Sequence, residues 1–263
     1  MEDSIRLIVF LAVLGGMAAW EVASPWRRAE VPRLIRWSNN LALVVLDAAV
    51  VRLVFPVTAV AVAVWAEAAG WGLLTLLGLP FWLKAVLAFV LLDLAIWAQH
   101  RVFHAVPVLW RLHRVHHADP EMDVTTGVRF HPAEIVLSMA IKLAVIVALG
   151  APAGAVLLFE VVLNATALFS HSNITLPPAW QRWLGWMVVT PQMHRIHHSE
   201  RREETDSNFG FNLPWWDWLF GTYRAEAAGG EDALQIGIGR FGAAADQRID
   251  RLLVQPLVGD DQR

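Results

Sequence analysis

The 263-residue sequence contains no cysteine, a single tyrosine and only two lysines. Without cysteine the chain cannot form a disulfide framework, a thiolate-held iron–sulfur cluster or a thiolate nucleophile. Charged residues make up only 17% of the sequence, the net charge is −3, and there is no basic run. This charge pattern argues against a nucleic-acid partner. Arginine outnumbers lysine nineteen to two, which is typical of a GC-rich bacterial genome.

The chain is unusually rich in apolar residues. Hydrophobic residues make up 56% of the sequence and the mean hydropathy is +0.46, which is too high for an ordinary soluble domain. Five apolar segments are long enough to cross a bilayer as helices: 5–22, 41–66, 81–99, 133–149 and 153–170. The first lacks the cleavage site of a signal peptide, so we expect it to be retained. The sequence predicts an all-α, integral-membrane helical bundle with five spans, or four if the first helix is only peripheral.

The arginines predict the orientation of this bundle. Four of them lie in the loop 24–40, whereas the turns 67–80 and 150–153 contain none. Because short cytoplasmic loops carry an excess of basic residues, we expect 24–40, 100–132 and everything after 171 on the cytoplasmic side. For a bacterial chain the membrane would be the inner membrane.

Three regions follow from the same pattern. Residues 1–80 are predicted to form the N-terminal membrane helices, 81–224 a catalytic domain and 225–263 a C-terminal cytosolic tail. The Trp- and Pro-rich segment 174–190 is expected to lie at the membrane interface. The tail begins with AEAAGGEDA, which predicts a flexible link, and residues 241–254 then show helical spacing.

All ten histidines lie between positions 100 and 198, and eight of them fall into three motifs. The motifs are HRVFH at 100–104, HRVHH at 113–117 and HRIHH at 194–198. Residues three and four apart share one face of a helix, so each motif offers two or three imidazoles in one direction. Imidazole is a ligand for zinc, copper, iron and nickel. Ten imidazoles are too many for one ion, so the motifs predict two metal ions.

Two single histidines lie level with the motifs. His131 precedes the fourth span and His171 ends the fifth, both at the end of the bundle where the three motifs gather. Their position predicts that each is a further metal ligand.

Several polar residues are candidates to support the ligands. Asp93, seven residues before His100 on the same helical stripe, is expected to orient a ligand imidazole through its ring N–H; the alternative is an ion pair with Arg52 or Lys142. Glu160 and Asn164 are expected to face the bundle interior, where they would line a substrate or proton route or bond one another. Asn173 and Asn208 offer oxygen near the motifs, where either could hold a metal-bound water or cap a helix.

The motifs together resemble the fatty acid hydroxylase / sterol desaturase superfamily over residues 85 to 225. The resemblance is carried by HRVFH, LWRLHRVHHADPEMDVTTGVRFHPAE, LFSHSNITLP, TPQMHRIHHS and DSNFGFNLPWWDWLFGTY. It implies a membrane helical bundle with a cytosolic helical cap, which holds a histidine-lined dimetal site. It also implies the ligand role for His100, His104, His113, His116, His117, His194, His197 and His198. FHPAE around His131 is similar to an HP-containing element of the sterol-oxidising branch, and His171 resembles a further ligand.

The resemblance implies a non-haem di-iron oxygenase. Such an enzyme uses O2 and external electrons to hydroxylate or desaturate an unactivated C–H bond of a lipid, such as a fatty acyl chain or a sterol. Its cofactor would be two iron ions (Fe2+/Fe3+), for which zinc can substitute during expression. The sequence has no motif for flavin, nicotinamide or haem, so a ferredoxin, cytochrome b5 or reductase partner is implied. Arg195, Arg201 and Arg202 could dock this donor, unless neighbouring glutamates cancel their charge.

Other classes of metal protein fit less well. A zinc protease would carry HExxH, but arginine stands second in all three motifs. A membrane cytochrome would place paired histidines within its spans rather than at their ends. A polytopic metal transporter is the main alternative, although its ligands would lie near the middle of the membrane.

Overall fold

Residues 2–259 are described by a computed structural model, and across them the chain forms helices and no strands. The predicted all-α bundle is confirmed. The helices, numbered in order, are α1 Glu2–Ala23, α2 Arg33–Val54, α3 Ala59–Ala68, α4 Leu73–Leu76, α5 Phe81–Ala105, α6 Pro107–His117, α7 Pro132–Leu149, α8 Ala153–His171, α9 Pro178–Leu184, α10 Pro191–His197, α11 Arg202–Thr205, α12 Trp215–Phe220 and α13 Ile249–Val254.

Five segments are long and apolar enough to cross a membrane, as the sequence predicts. They are Glu2–Ala23, Arg33–Leu76, Phe81–Ala105, Pro132–Leu149 and Ala153–His171. Their outward faces are apolar, which is what lipid tails require: Ile8 is 66% exposed and Leu53 84% exposed. The short helix α9 leaves Trp180 and Trp183 largely exposed.

The second span differs from its predicted bounds of 41–66. Helix α2 begins already at Arg33 and ends at Val54. It ends there because Pro56 lacks an N–H and forces Phe55 into an extended conformation. Thr58 then caps a separate helix, α3, by accepting a hydrogen bond from the Ala61 N–H. The early start was missed because Arg33 and Arg36 suggested a polar loop.

At one end of the bundle, α3, α4, α5, α7 and α8 share an apolar core. Gly150 ends α7 in a left-handed conformation, with φ 64°, which glycine adopts without strain. The α7–α8 hairpin packs closely on the turn at Gly72, where a Cβ would lie 2.0 Å from the Gly150 nitrogen. The turns 67–80 and 150–153, which contain no arginine, therefore meet at this end of the bundle.

The opposite end is held together by buried charges. Glu21 of α1 accepts hydrogen bonds from the Val124 and Asn173 N–H groups. Arg36 of α2 binds Asp119 through two nitrogens, at 2.7 and 2.9 Å, and binds Asp123 at 2.6 Å. The arginines predict that three segments lie on one side of the membrane: 24–40, 100–132 and 171 onward. These segments are in contact at this end of the bundle, where the histidines also lie.

The C-terminal segment packs on this end. Ala227, Leu234 and Ile236 form a small core with Met122 and Ile196. The predicted link 225–233 is therefore anchored by apolar contacts. The predicted helix over 241–254 is shorter than its pattern: a 3-10 turn at Ala244–Gln247 precedes α13. Residues 260–263 of the predicted tail lie outside the described part.

Candidate metal centre

Nine of the ten histidines form two buried groups at the cap end of the bundle. Within each group the possible ligand atoms lie within 4.8 Å of one another. The group of five is His100, His104, His113, His117 and His197. The group of four is His116, His171, His194 and His198.

The two HxxHH motifs are divided between the groups in opposite ways. In the motif on α6, His113 and His117 belong to the group of five and His116 to the group of four. At α10, His194 and His198 belong to the group of four and His197 to the group of five. The division follows from helix geometry, because residues i and i+4 point about 40° apart whereas i+3 points to the other side of residue i.

Distances between ring nitrogens fit metal ions at both groups. The Nε2 atoms of His100 and His197 are 3.0 Å apart, and those of His104 and His117 are 3.1 Å apart. In the other group, His171 Nε2 lies 3.1 Å from His116 Nε2 and 2.9 Å from His194 Nε2. Two nitrogens that bind one ion at about 2.1 Å and a right angle are about 3 Å apart.

Some inward nitrogens have no hydrogen-bond partner within the described chain. They are Nε2 of His113 and Nε2 of His198, both of them buried. An unpaired buried polar atom is costly unless something else satisfies it. An ion in each group would satisfy these atoms, so the residues present fit a dimetal site.

The outward nitrogens of several rings are held by fixed acceptors. His100 Nδ1–H donates to the Phe209 carbonyl at 2.8 Å, and His197 Nδ1–H donates to the Ser207 carbonyl at 2.7 Å. His113 Nδ1 is 2.7 Å from Glu134 Oε1. These bonds direct Nε2 of each ring towards the group, as metal sites require.

The environment keeps the imidazoles neutral. Burial lowers the pKa of His113 to about 3. Burial, together with the neighbouring imidazoles, also lowers the pKa of the other cap histidines outside the spans: His116, His117, His194, His197 and His198. Because a metal binds the neutral ring, the groups are ready to accept cations at neutral pH.

His131 is the predicted ligand that the structure places elsewhere. Its Nδ1 caps α7 by accepting the Ala133 N–H at 3.1 Å, and its Nε2 lies 3.2 Å from the Leu253 carbonyl. The residue precedes Pro132 and is extended, as residues before proline are. Its ring therefore turns back over the helix start, and the geometry does not support the predicted ligand role.

Asp93 was expected to orient an imidazole, and here the expectation was wrong. Its carboxylate accepts hydrogen bonds from the Asn212 and Leu213 N–H groups, at 3.2 Å each, and from Trp216 Nε1 at 2.8 Å. Its hydrogen bonds are thus to neither a histidine nor the alternative partners Arg52 and Lys142. Asp93 instead fixes the loop that brings the Phe209 carbonyl to His100.

The other supporting candidates bond away from the histidines. Glu160 binds Lys142 at 2.5 Å and also Arg6, and Asn164 donates to the Glu160 carbonyl at 2.9 Å. Asn173 bonds the Arg27 backbone, and Asn208 donates to the Met193 and Arg224 carbonyls. Glu160 is buried within the bundle whereas Asn164 is exposed. Asn173 and Asn208 fix backbone rather than holding water at the groups.

Arg195 is unsuited to its predicted docking role. Its guanidinium is buried, donates to the Ile174 carbonyl at 2.9 Å, and lies 4.4 Å over the Trp26 ring. Arg201 and Arg202 are exposed. The predicted basic patch therefore loses one of its three members.

Sequence reasoning missed the carbonyl groups that hold the rings. Nothing in a sequence marks the backbone oxygens of Phe209 and Ser207 as acceptors, because they are set by the loop conformation. The contact of Glu134 with His113 was missed as well, and the signal available was the place of Glu134 in the FHPAE segment, three residues after His131.

A cavity of about 510 Å3 begins at the group of five and extends between the spans. His100 and His113 line it at one end, beside the rings of Phe103, Phe130 and Phe211. Residues from α1, α2, α7 and α8 line the remainder, including Arg6 and Lys142. The cavity thus connects the histidines with the interior of the membrane bundle.

Comparison with known proteins agrees with this site. The sequence profile of the fatty acid hydroxylase family matches residues 85–222, just over half of the chain and all ten histidines. Ornithine lipid hydroxylase OlsE of Rhizobium tropici is 28% identical over 144 residues, which cover 55% of this chain and 43% of that protein. The chain thus matches less than half the length of this curated relative. No solved structure matches the chain. The family match across the histidine motifs shows that the chain belongs to the fatty acid hydroxylase family.

Proposed function

We propose that the protein is a membrane di-iron oxygenase that hydroxylates, or desaturates, an unactivated C–H bond of a lipid. The observation that carries this proposal is the pair of all-imidazole groups opening onto a cavity within the bundle. Family membership and the lipid hydroxylase relative support the same reaction class.

The histidines would hold two iron ions, one at each group. Imidazole alone also suits zinc and copper, so iron is chosen for its reaction with O2. The bound pair would supply the oxidising chemistry that breaks the C–H bond. For hydroxylation the balance is R–H, O2, two electrons and two protons giving R–OH and water, so the two electrons come from a donor outside this chain.

The protein's own contribution is positioning and exclusion of water. Glu134 and the Phe209 and Ser207 carbonyls hold three imidazoles in fixed orientations. Phe103, Phe130 and Phe211 form an apolar wall beside His100 and His113, which keeps water from the reacting carbon. The cavity between the spans would orient a lipid that enters from the bilayer.

The remaining assignments follow from the proposed reaction. Residues 81–224 would form the catalytic domain. The electron donor would be a ferredoxin, a cytochrome b5 or a reductase. The positive-inside pattern supports an inner-membrane location with the histidines on the cytoplasmic face. The relative is named for ornithine lipid, which supports a polar lipid as the substrate here.

The test is metal content and oxygen uptake of the full chain. Protein expressed with ample iron and purified without oxygen is expected to hold about two irons per chain and to consume O2 when a reductant and a lipid extract are added. Mass spectrometry of the lipids should then show gain of one oxygen or loss of two hydrogens. One metal or none, without O2 uptake, would favour the transporter alternative.

A further inference from the structure

The cavity between the spans is more polar than a channel for a hydrocarbon tail needs to be. Asp47, Glu134, Arg6 and Lys142 all line it, with Ser138, Gln99 and Asn164 between them. Ionisable side chains inside a membrane bundle are costly and mark functional sites. The lining therefore predicts that part of the substrate in this cavity is polar.

Asp47 is the group in this lining whose charge is unmatched. The residue is 7% exposed, and its Oδ1 has no hydrogen-bond partner among residues 2–259. The two cations of the cavity are bound elsewhere, since Lys142 and Arg6 both contact Glu160. A buried carboxylate without a partner is unfavourable, and a cation in the cavity would relieve this cost.

The other carboxylates that line the cavity add to its preference for a cation. Glu134 uses Oε1 for His113, while its Oε2 is buried and unpartnered within the described chain. Asp3, which is exposed, also lines the cavity. Three carboxylates, Asp3, Asp47 and Glu134, thus line the cavity against two cations that are already paired with Glu160, and the lining favours a positively charged ligand.

We propose that Asp47 binds the cationic nitrogen of the substrate, so that the protein acts on lipids that carry an ammonium group. That the bound lipid is then oxidised rests on the proposed function, whereas the binding of its ammonium group at Asp47 does not. Glu134 and Lys142 lie on the same face of α7 about 12 Å apart, which leaves room for a headgroup between them. An ammonium group at Asp47 would hold the adjoining carbons in the cavity that leads to His100 and His113.

The absence of cysteine makes the proposal directly testable. Ser138, which lines the cavity, is replaced by cysteine as the only thiol in the full chain. Its labelling rate by the uncharged reagent methyl methanethiosulfonate is measured in nanodiscs at increasing concentrations of dodecylamine, dodecanol or N-dodecylacetamide. Dodecylamine should protect the thiol at about tenfold lower concentration than either neutral compound, since a charge-assisted hydrogen bond has about this strength.

The same measurement with Asp47→Asn added should remove the advantage of dodecylamine. Asp47→Glu should keep this advantage, as should the control Asp232→Asn at an exposed position away from the cavity. Equal protection by the three compounds in Ser138→Cys alone would overturn the proposal, and this comparison needs no change at Asp47. Persistence of the advantage in Asp47→Asn would also overturn it. Iron content and O2 uptake are measured separately and test the oxygenase. Selective protection without O2 uptake would support the cation site and reject the proposed reaction. O2 uptake without selective protection would support the reaction and reject the cation site.

Discussion

Oε1 of Glu134 lies 2.7 Å from Nδ1 of His113, and both side chains are buried. The carboxylate keeps the proton on Nδ1 and leaves Nε2 as the ligand atom of the group of five. Replacement of such a carboxylate usually lowers metal affinity about 10- to 100-fold. We expect Glu134→Gln to lose iron to a chelator at correspondingly lower concentration, as measured by competition. The exposed Glu203→Gln is the matched control, and unchanged affinity in Glu134→Gln would contradict the assignment.

Variants of the histidines in the two groups should differ in metal content from a variant of His131. His116→Ala and His197→Ala each remove a member of one group, so each variant should hold one iron or fewer per chain and lose turnover. His131→Ala removes the cap of α7 and the contact with the Leu253 carbonyl, and it should keep the metals while losing about 1 kcal/mol of stability. Elemental analysis and thermal unfolding measure the two effects. Loss of iron from His131→Ala would restore that residue as a ligand.

The ion cluster around Arg36 should dominate the stability of the cap. Removal of one partner from a buried ion pair leaves uncompensated charge and costs about 3–5 kcal/mol. Arg36→Ala leaves Asp119 and Asp123 without their shared partner, so a large fall in Tm is expected in detergent. Arg28→Ala, at an exposed position of the loop that precedes α2, should leave Tm nearly unchanged. Similar Tm values for the two variants would argue against the cluster as a stabilising element.

The close approach of two turns gives a prediction for the opposite end. Gly72 has φ 101°, and a Cβ there would collide with the backbone at Gly150. Gly72→Ala should therefore lower Tm through both steric overlap and backbone strain. Gly154→Ala is the control, because nothing lies within 4 Å of a Cβ at that position and it is helical. The two variants should differ in Tm even though each adds a single methyl group.

The sequence predicted the number of spans and the gathering of histidines at one end, because both depend on local periodicity and on charge. It could not predict the division of the motifs between two groups, since helix rotation is set by packing against other elements. His131 lies level with the motifs in sequence, yet the conformation imposed by Pro132 turns its ring away. Asp93 follows the helical stripe of His100, but a loop more than a hundred residues later occupies its carboxylate.

The crossed sharing of the two HxxHH motifs has a consequence for how the centre is filled. Neither group can be completed on one helix, because α6 and α10 each contribute to both. An ion at either group therefore clamps the same two helices against each other and prepares the remaining imidazoles for the second ion. Binding of this kind is cooperative, and singly loaded molecules should be scarce at every stage of an iron titration.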